Sequence, residues 1–594
     1  MASKNFDSTQ IPLKDLLESI SKQEIQLPDF QRSWVWDNNR IKSLLASISV
    51  SFPIGAIMLL ETGNPDVKFQ TKPLKGITPN GKEPEELILD GQQRLTALYQ
   101  SITFNKVVET VDQKGKNIKR WYYIDIKKAL YGEDMEDAIR DLPEDKKITE
   151  DFGRKLVLSC KTENDEYENF MFPLSQIFDD SIWFNGFMKF WNYDQEKIKL
   201  FQKFQQQIIN QFKAYNVPVI KLFKNNPKEA VCQVFEKVNT GGVSLDVFEL
   251  LTATFAADDF RLRDDWDIRS TQTFKEFDIL NRTEKSDFLQ VVSLLLSYDK
   301  RKKAIEESKK DSELPAISCK RKTILKLEKD EYLQWADKAE KGFAEAAKLL
   351  YGQKIFKAYD LPYTAQLVPL AALFGYMGDE IKTEGAKQKI LRWYWNGIFG
   401  ELYGGANETR YARDFPELMN WIKGTENEPT TIRDAYFAED RLETLRTRNS
   451  AAYKGLFILQ MQKGAKDFIT GDEIQQQNYF EDAVDIHHIF PRAWCINQGI
   501  EESRYNTIVN KTPLAKRTNT IIGSNAPSKY LNKVLSKANI STDELTQILE
   551  SHYIDKKYLE KDDFDGFYQN RKEQLINLIE NVTNKKVQRL ETNQ

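Results

Sequence analysis

Cysteine is scarce in this sequence, which has four in 594 residues: Cys160, Cys232, Cys319 and Cys495. They form no CxxC pair, which argues against a zinc ribbon or a disulfide framework and is typical of a reducing compartment. Long apolar runs are also lacking, because the stretch LLASISVSFPIGAIMLL is short for a membrane span and is broken by Pro53 and Gly55. The first residues, MASKNFDSTQ, lack the apolar segment of a signal peptide. We therefore expect a cytoplasmic protein that does not associate with membranes.

A strong excess of either charge is also absent. The chain carries 85 Lys and Arg against 89 Asp and Glu, a net charge of -4, with 41% hydrophobic and 29% charged residues. This composition predicts a globular protein. Because the charges nearly balance, any nucleic-acid site must be a local patch of basic residues. At this length the chain should divide into several domains. We place the boundaries at 1–255, 256–445 and 446–594.

The first region alternates strand-like and helix-like segments. WVWDNNRIKSLLASI predicts a helix with Asp37 as its N-cap, and PIGAIMLLE, RWYYIDI and VPVIKLF predict strands. ELILDGQQRLTALYQSI predicts a buried strand, a turn at Asp90 and Gly91, and a helix. EAVCQVFEKV predicts another helix, which ends at NTGG. The middle region is mostly helical in pattern, and VDIHHIFP near the end predicts a strand that runs into a loop.

Histidine is the scarcest chemically versatile residue, with three in the chain, yet His487 and His488 are adjacent. On an extended strand their side chains point to opposite sides, so different roles are expected. Asn510 and Asn519 follow in IVNKTPL and KRTNTII. Phosphodiester hydrolysis needs a base for water and a cation for the phosphate. Neutral imidazole can serve as base or ligand, and amide oxygens suit a hard cation.

These four residues resemble the site of the HNH, or ββα-metal, nucleases. The resemblance implies that His488 activates water, that Asn510 orients His488, and that His487 and Asn519 hold one divalent cation, Mg²⁺ or Mn²⁺. Many HNH enzymes have aspartate where this chain has His487. Histidine is a softer ligand, which leaves the metal preference open.

A long basic stretch follows the histidine pair. From Ser503 to Thr542, forty residues contain seven Lys or Arg and no Asp or Glu. A basic surface beside a hydrolytic site suits a polyanionic backbone, because phosphate contacts supply most of the sequence-independent affinity. We predict DNA contacts from Lys511, Lys516, Arg517, Lys529 and Lys533.

LILDGQQRLTALYQ carries a second candidate site. Backbone N–H groups at the start of the predicted helix can bind an anion, and Arg94 lies in its first turn. Asp-Gly turns are also common as plain structure, so both interpretations stay open. The sequence has no P-loop. Trp34 and Trp36 are expected to pack, although one could stack on a base.

Four segments, LPDFQRSWVWD, FPIGAIMLLE, LILDGQQRLTAL and VFEKVNTGGVSLDVFELLTA, resemble in order the ParB/sulfiredoxin-like NTPase domain of GmrSD-like type IV restriction endonucleases. The resemblance implies an α+β multidomain protein: this α/β domain, a helical middle region and a C-terminal ββα-metal nuclease domain. It also implies nucleotide binding by Asp90, Gly91, Gln92, Gln93, Arg94, Arg32 and Asn239.

The two resemblances together predict an NTP-regulated, metal-dependent DNA endonuclease of bacterial anti-phage defence. Its substrate would be double-stranded foreign or modified DNA, with either glucosylated cytosine or phosphorothioate as the mark. The nucleoside triphosphate (GTP, UTP, CTP or ATP) is left open, and a homo-oligomer is possible. Two alternatives remain: an NTP-dependent DNA-binding regulator or clamp that does not cleave, and an RNA-directed nuclease.

Overall fold

The structure is a computed structural model that describes residues 6–29, 31, 34, 36–64, 68–112, 114–150, 155–226, 230–231, 234, 247–473 and 485–589. The chain forms two compact units, Met1–Arg261 and Leu262–Gln594. The proposed division of the second unit at residue 446 remains a prediction.

The first unit is a mixed α/β domain. Its described strands are β1 (Phe6–Pro12), β2 (Ile25–Pro28), β3 (Ile57–Glu61), β4 (Thr71–Lys72), β5 (Glu86–Asp90), β6 (Val108–Val111), β7 (Asn117–Asp125), β8 (Ile139–Leu142), β9 (Lys147–Glu150), β10 (Lys155–Ser159), β11 (Met171–Pro173) and β12 (Asn216–Leu222). Six of them form a sheet in the order β1-β12-β3-β5-β2-β4. In this sheet the pairs β12/β3 and β2/β5 are parallel, and the remaining neighbours are antiparallel.

A second sheet has the order β11-β7-β6, with β8 also paired to β7, and β9 pairs with β10. The described α-helices of this unit are Leu13–Ser21, Asn38–Ser49, Gln92–Leu98, Ile126–Tyr131, Met135–Ala138, Glu163–Asn169, Ser181–Phe190, Gln195–Phe204, Asn210–Ala214 and Val247–Ala257. Leu59, Ile88 and Val219 on three central strands are fully buried and belong to the core of this unit.

The local sequence signals that fall on described residues of this unit are confirmed. Asp37 caps the helix Asn38–Ser49, and its side chain accepts a hydrogen bond from the Arg40 amide at 3.0 Å. The predicted strand, turn and helix around Asp90 are β5, Gly91 and Gln92–Leu98. Most of EAVCQVFEKV and all of NTGG lie outside the described residues, as does Cys232. The other three cysteines are buried free thiols.

The second unit is predominantly helical, as predicted for 256–445. Its described α-helices are Leu262–Arg269, Lys285–Glu306, Arg321–Ile324, Lys329–Gly352, Leu367–Met377, Glu384–Phe399, Glu408–Lys423, Thr430–Asp434, Arg441–Thr444, Ala451–Gln462, Arg492–Asn497, Glu502–Tyr505, Lys516–Ile522, Pro527–Ala538, Thr542–Ser551, Lys556–Glu560 and Phe564–Thr583. Two strands, β13 (Asp485–His488) and β14 (Lys511–Leu514), form an antiparallel pair. In the described part of the chain, no helix is both long and apolar enough to cross a membrane.

Candidate functional site

The histidine pair lies on a strand–strand–helix unit. β13 ends at His488, and its register pairs His487 with Thr512 and His488 with Lys511 on β14. The helix Lys516–Ile522 follows β14 and carries Asn519. The strand predicted at VDIHHIFP is therefore confirmed, and two short strands precede the helix that bears the second asparagine.

The His488 imidazole is oriented by a residue in the connection between the two strands. Its Nε2 lies 3.3 Å from Oδ1 of Asn506. The Asn506 side-chain nitrogen donates to Oε1 of Glu502 at 3.2 Å. Because a carboxylate only accepts, this bond directs the amide oxygen of Asn506 toward His488. The proton of the neutral imidazole then resides on Nε2, and Nδ1 carries the lone pair.

The environment of His488 disfavours its charged form. Burial lowers the pKa of His488 to about 4, and the nearby charges of Lys511 and Arg492 act in the same direction. The bond to Asn506 opposes this effect. At neutral pH the side chain is therefore an uncharged imidazole that can accept a proton.

Asn510 is fully buried and holds the chain that follows β13. Its Oδ1 accepts from the Phe490 amide at 2.8 Å, and its Nδ2 donates to the carbonyl oxygens of Phe490 at 3.0 Å and Tyr505 at 2.9 Å. These bonds fix the backbone two residues after His488. The predicted influence of Asn510 on His488 would therefore act through the backbone.

Arg571, on the helix Phe564–Thr583, is a fully buried cation beneath the segment that carries Asn510. Its guanidinium donates to the carbonyl oxygens of Ile508, Val509 and Lys511, the last at 2.8 Å. It also donates to the His552 carbonyl at 3.3 Å and to the Gln460 side chain at 2.8 Å. Burial lowers the pKa of Arg571 to about 9. One side chain thus ties together the backbone on both sides of Asn510.

The third histidine, His552, belongs to the same buried network. Its Nε2 lies 2.7 Å from the carbonyl oxygen of Lys466, so this nitrogen donates. Its Nδ1 lies 2.7 Å from the Thr512 hydroxyl and therefore accepts. Burial lowers the pKa of His552 to about 4. Its role in this arrangement is to support β14.

His487 and Asn519 are the predicted cation ligands, and together they would be a sparse donor set. Both side chains are partly exposed, and one offers an imidazole nitrogen while the other offers an amide oxygen. Across the described ranges, no group of three or more His, Cys, Asp or Glu side chains could hold a metal ion. Two neutral donors fit a hydrated divalent cation that takes its remaining ligands from water and a substrate phosphate. They do not form an all-protein cage.

The predicted DNA-contacting residues separate into two groups. Lys516 and Arg517 at the start of one helix, and Lys529 and Lys533 on the helix Pro527–Ala538, are exposed. Lys511 is 7% exposed, and its ammonium donates to the Arg446 carbonyl at 2.7 Å. Burial lowers the pKa of Lys511 to about 8. The interpretation of Lys511 as a surface contact for DNA is corrected, because its ammonium is buried and bonded within the protein.

In the first unit, the Asp-Gly-Gln-Gln-Arg turn is closely packed. The Arg94 guanidinium donates to the carbonyl oxygens of Ile54 at 2.8 Å and Ala56 at 3.0 Å, and to the Asp90 carboxylate at 3.2 Å. Gly91 has φ 93°, and a Cβ there would lie 2.2 Å from Cδ1 of Ile57. Glycine is therefore required by both conformation and space. Arg94 has a structural role whether or not it also meets a phosphate.

The other predicted nucleotide contacts differ in how exposed their side chains are to solvent. Gln93 is buried and its carbonyl accepts from the Trp34 indole at 3.3 Å, whereas Gln92 is partly exposed. The Asp90 side chain is 39% exposed, so its carboxylate is accessible at the end of β5. Arg32 and Asn239 lie outside the described residues. Nucleotide binding at this turn remains a prediction.

Two residues of the second unit were missed by sequence reasoning. Asn506 lacks a distinguishing motif, although its position four residues after Glu502 is compatible with the observed bond. Arg571 is distant in the sequence from β14, and its acceptors are mostly carbonyl oxygens, which leave no side-chain signature. Both assignments depend on tertiary structure.

Comparisons with known proteins connect the first unit with restriction enzymes. Residues 13–256 match the family described as GmrSD restriction endonuclease, N-terminal domain. The chain is also similar to the uncharacterized protein MJ0686 of Methanocaldococcus jannaschii, with 26% identity over 575 residues that cover 92% of each chain. Residues 13–256 are thus similar to the N-terminal domain of GmrSD restriction endonucleases, and the similarity to the archaeal protein extends over both units. The family match points to a nuclease-related function.

Proposed function

We propose that this protein is a metal-dependent DNA endonuclease of the restriction type, with its hydrolytic site on β13, β14 and the helix Lys516–Ile522. The observation that carries the proposal is the oriented, neutral His488 at the end of β13, held through Asn506 and Glu502. The family match of residues 13–256 supports a restriction enzyme independently. The exposed cations at Lys516, Arg517, Lys529 and Lys533 support a polyanionic substrate.

In the proposed reaction, Nδ1 of His488 accepts a proton from water as the water oxygen attacks phosphorus. The bond from phosphorus to the leaving oxygen breaks, and that oxygen takes a proton from solvent. His487 and Asn519 would hold Mg²⁺ or Mn²⁺, which would neutralise charge that develops on the phosphate. Asn510 and Arg571 would keep the backbone around the site fixed while the substrate reacts.

The first unit would regulate this reaction through a nucleoside triphosphate bound near Asp90, Gln92, Gln93 and Arg94. The partly exposed Asp90 carboxylate supports a contact with a metal-bound nucleotide. The biological role proposed for this protein is defence against phage, through cleavage of foreign or modified double-stranded DNA. The candidate triphosphates are GTP, UTP, CTP and ATP.

The direct test incubates the purified chain with modified and unmodified phage DNA, with Mg²⁺ or Mn²⁺ and each triphosphate in turn. We expect metal-dependent cleavage that is lost in His488→Ala, while DNA binding survives. His487→Ala and Asn519→Ala should also inactivate, by weakening metal affinity, and excess Mn²⁺ should partly restore them. An RNA substrate tested in parallel distinguishes an RNA-directed nuclease. DNA binding without cleavage under all conditions would favour the regulator or clamp and overturn the proposal.

A further inference from the structure

A cleft of about 620 Å³ lies in the first unit, between the segment of Trp34 and Trp36 and the hairpin formed by β6 and β7. None of the residues from Asp90 to Arg94 lines it, so it is a different cavity from the candidate nucleotide turn that it adjoins. Its volume is within the range of small-ligand sites, roughly 300–1,000 Å³. The two indoles and a set of cations give this cleft a distinct chemistry.

The aromatic wall is held in place by hydrogen bonds to its neighbours. The Trp34 indole is 7% exposed and donates to the Gln93 carbonyl at 3.3 Å. The Trp36 carbonyl accepts from the Thr110 hydroxyl at 2.7 Å, which ties this segment to β6. Lys75 places its ammonium 5.6 Å from the Trp34 ring centroid. The side chain of Trp36 is only partly buried and is the more accessible of the two rings.

The rim of the cleft carries more positive than negative side chains. Lys75, Lys116, Lys119 and Arg120 line the cleft together with two carboxylates, Glu109 and Glu144. The Arg120 guanidinium is already paired with Asp141 at 3.0 Å, so the three lysines carry the positive charge of the rim. Lys75 lies 3.8 Å from Glu109, and Lys119 lies 2.7 Å from Glu144, in pairs that are largely exposed. Exposed pairs of this kind contribute about 0–1 kcal/mol. A phosphate group can therefore replace a carboxylate as the partner of either lysine at little cost.

We propose that this cleft binds one unpaired nucleotide of the nucleic-acid substrate, with the base stacked on Trp36 and the backbone phosphate on Lys116 and Lys119. A paired base in a duplex hides both faces, so the nucleotide must be single-stranded or extruded. The exposed amide of Asn117 at the rim can hydrogen-bond to a base edge. This inference rests on the proposed DNA-directed function and adds a recognition subsite to it.

The same chemistry would also accept a free nucleotide, so the experiment compares both sources. Full-length protein carrying His488→Ala is titrated into labelled single-stranded DNA, matched duplex, and duplex with one mismatched base, and binding is followed by fluorescence anisotropy. ATP and a deoxynucleoside monophosphate are added as competitors. We expect tighter binding of single-stranded and mismatched DNA than of matched duplex, and little competition by either free nucleotide.

Substitutions in the cleft provide the decisive comparison. Trp36→Ala should weaken binding of single-stranded DNA by about 5- to 150-fold, because stacking contributes roughly 1–3 kcal/mol per base. Trp36→Phe should retain most of the affinity. The double variant Lys116→Glu with Lys119→Glu should also weaken binding, whereas Lys114→Glu on the same hairpin, outside the cleft, should have a smaller effect.

Two results would overturn the inference. One is unchanged binding of single-stranded DNA in both Trp36→Ala and the double lysine variant, each shown to be folded. The other is loss of ATP binding alone, which would assign the cleft to a free nucleotide. Cleavage of phage DNA is measured separately, with protein that retains His488. If that cleavage is absent while the cleft variants still lose binding, the endonuclease proposal fails and the binding site stands.

Discussion

Nε2 of His488 lies 3.3 Å from Oδ1 of Asn506, and the same asparagine donates through its Nδ2 to Glu502. The chain between β13 and β14 therefore determines which imidazole nitrogen is free. Because Nε2 carries the proton, Nδ1 is the atom available for a water molecule. The connection between the two strands thus contributes Asn506 to the candidate site in addition to the predicted Asn510, although Asn506 belongs to no nuclease motif.

Asn506→Ala should reduce the rate of DNA cleavage by about 10- to 100-fold, the range typical for partners that orient a site histidine. The imidazole would lose the acceptor that fixes its tautomer, while the cation donors His487 and Asn519 would be unchanged. Single-turnover cleavage and DNA affinity are measured together, and affinity should stay within about twofold, since the change removes no phosphate contact. Asn497→Ala, at an exposed position of a neighbouring helix, is the control. Equal cleavage by the two variants would refute this role of Asn506.

Arg571→Ala should destabilise the second unit by about 2–4 kcal/mol, because several buried carbonyl oxygens would lose their donor. Arg571→Lys should not restore stability, since an ammonium cannot span acceptors from Ile508 to His552. Chemical denaturation gives the free energy of unfolding, and hydrogen exchange of the peptide that contains Asn510 should accelerate. The control is Arg504→Ala, which removes a partly exposed ion pair to Asp565 and should cost about 1 kcal/mol or less. A full rescue by lysine would contradict the proposed spanning role.

His552 should make the stability of the second unit depend on pH. Its pKa of about 4 in the folded protein lies below the value of about 6.5 for an unfolded chain. Between these values only the unfolded chain takes up the proton, so stability is complete above about pH 6.5 and is lost as the pH falls toward 4. The loss is about 3 kcal/mol, since one pKa unit corresponds to about 1.4 kcal/mol.

The pH dependence is isolated by comparison with His552→Gln. Both proteins are denatured with urea at several pH values from about 7.5 to 4.5. The variant should be less stable at neutral pH, because it loses the bonds to Thr512 and Lys466, but this deficit should shrink on acidification. A constant difference between the two proteins would show that His552 does not titrate as described.

The exposed and buried lysines of the basic stretch should behave differently toward DNA. Lys516→Glu with Arg517→Glu should weaken binding to any DNA sequence and reduce the slope of affinity against salt, since each neutralised phosphate contributes to that slope. Lys511→Met should leave the slope unchanged, because its ammonium contacts the Arg446 carbonyl inside the protein. Binding is measured at several salt concentrations with uncleaved duplex. A flatter dependence of DNA affinity on salt for Lys511→Met would show that Lys511 does contact DNA.

Sequence reasoning succeeded where the signal is local. The N-cap at Asp37, the glycine turn after β5 and the strand that ends at His488 each depend on residues that lie only a few positions apart in the sequence. It failed for Lys511, because charge alone predicted exposure while the Arg446 carbonyl, distant in sequence, receives its ammonium. Arg571 and Asn506 could not be predicted, since their partners are defined by the packing of a distant helix and by the course of a loop.

Arg94 provides the sharpest test of the first unit, because its guanidinium already holds the carbonyl oxygens of Ile54 and Ala56. If this is its main role, Arg94→Ala should lower the unfolding free energy of the unit by about 1–3 kcal/mol, through unpaired carbonyl groups. Asp90→Asn should have a smaller effect on stability, since that carboxylate is partly exposed, yet it should impair NTP hydrolysis if it positions a metal or water. Thermal unfolding and phosphate release are measured on both variants, with and without triphosphate. Loss of hydrolysis in Asp90→Asn at nearly normal stability would support the nucleotide site. Hydrolysis that persists in both folded variants would place the nucleotide elsewhere and leave the turn with its structural role alone.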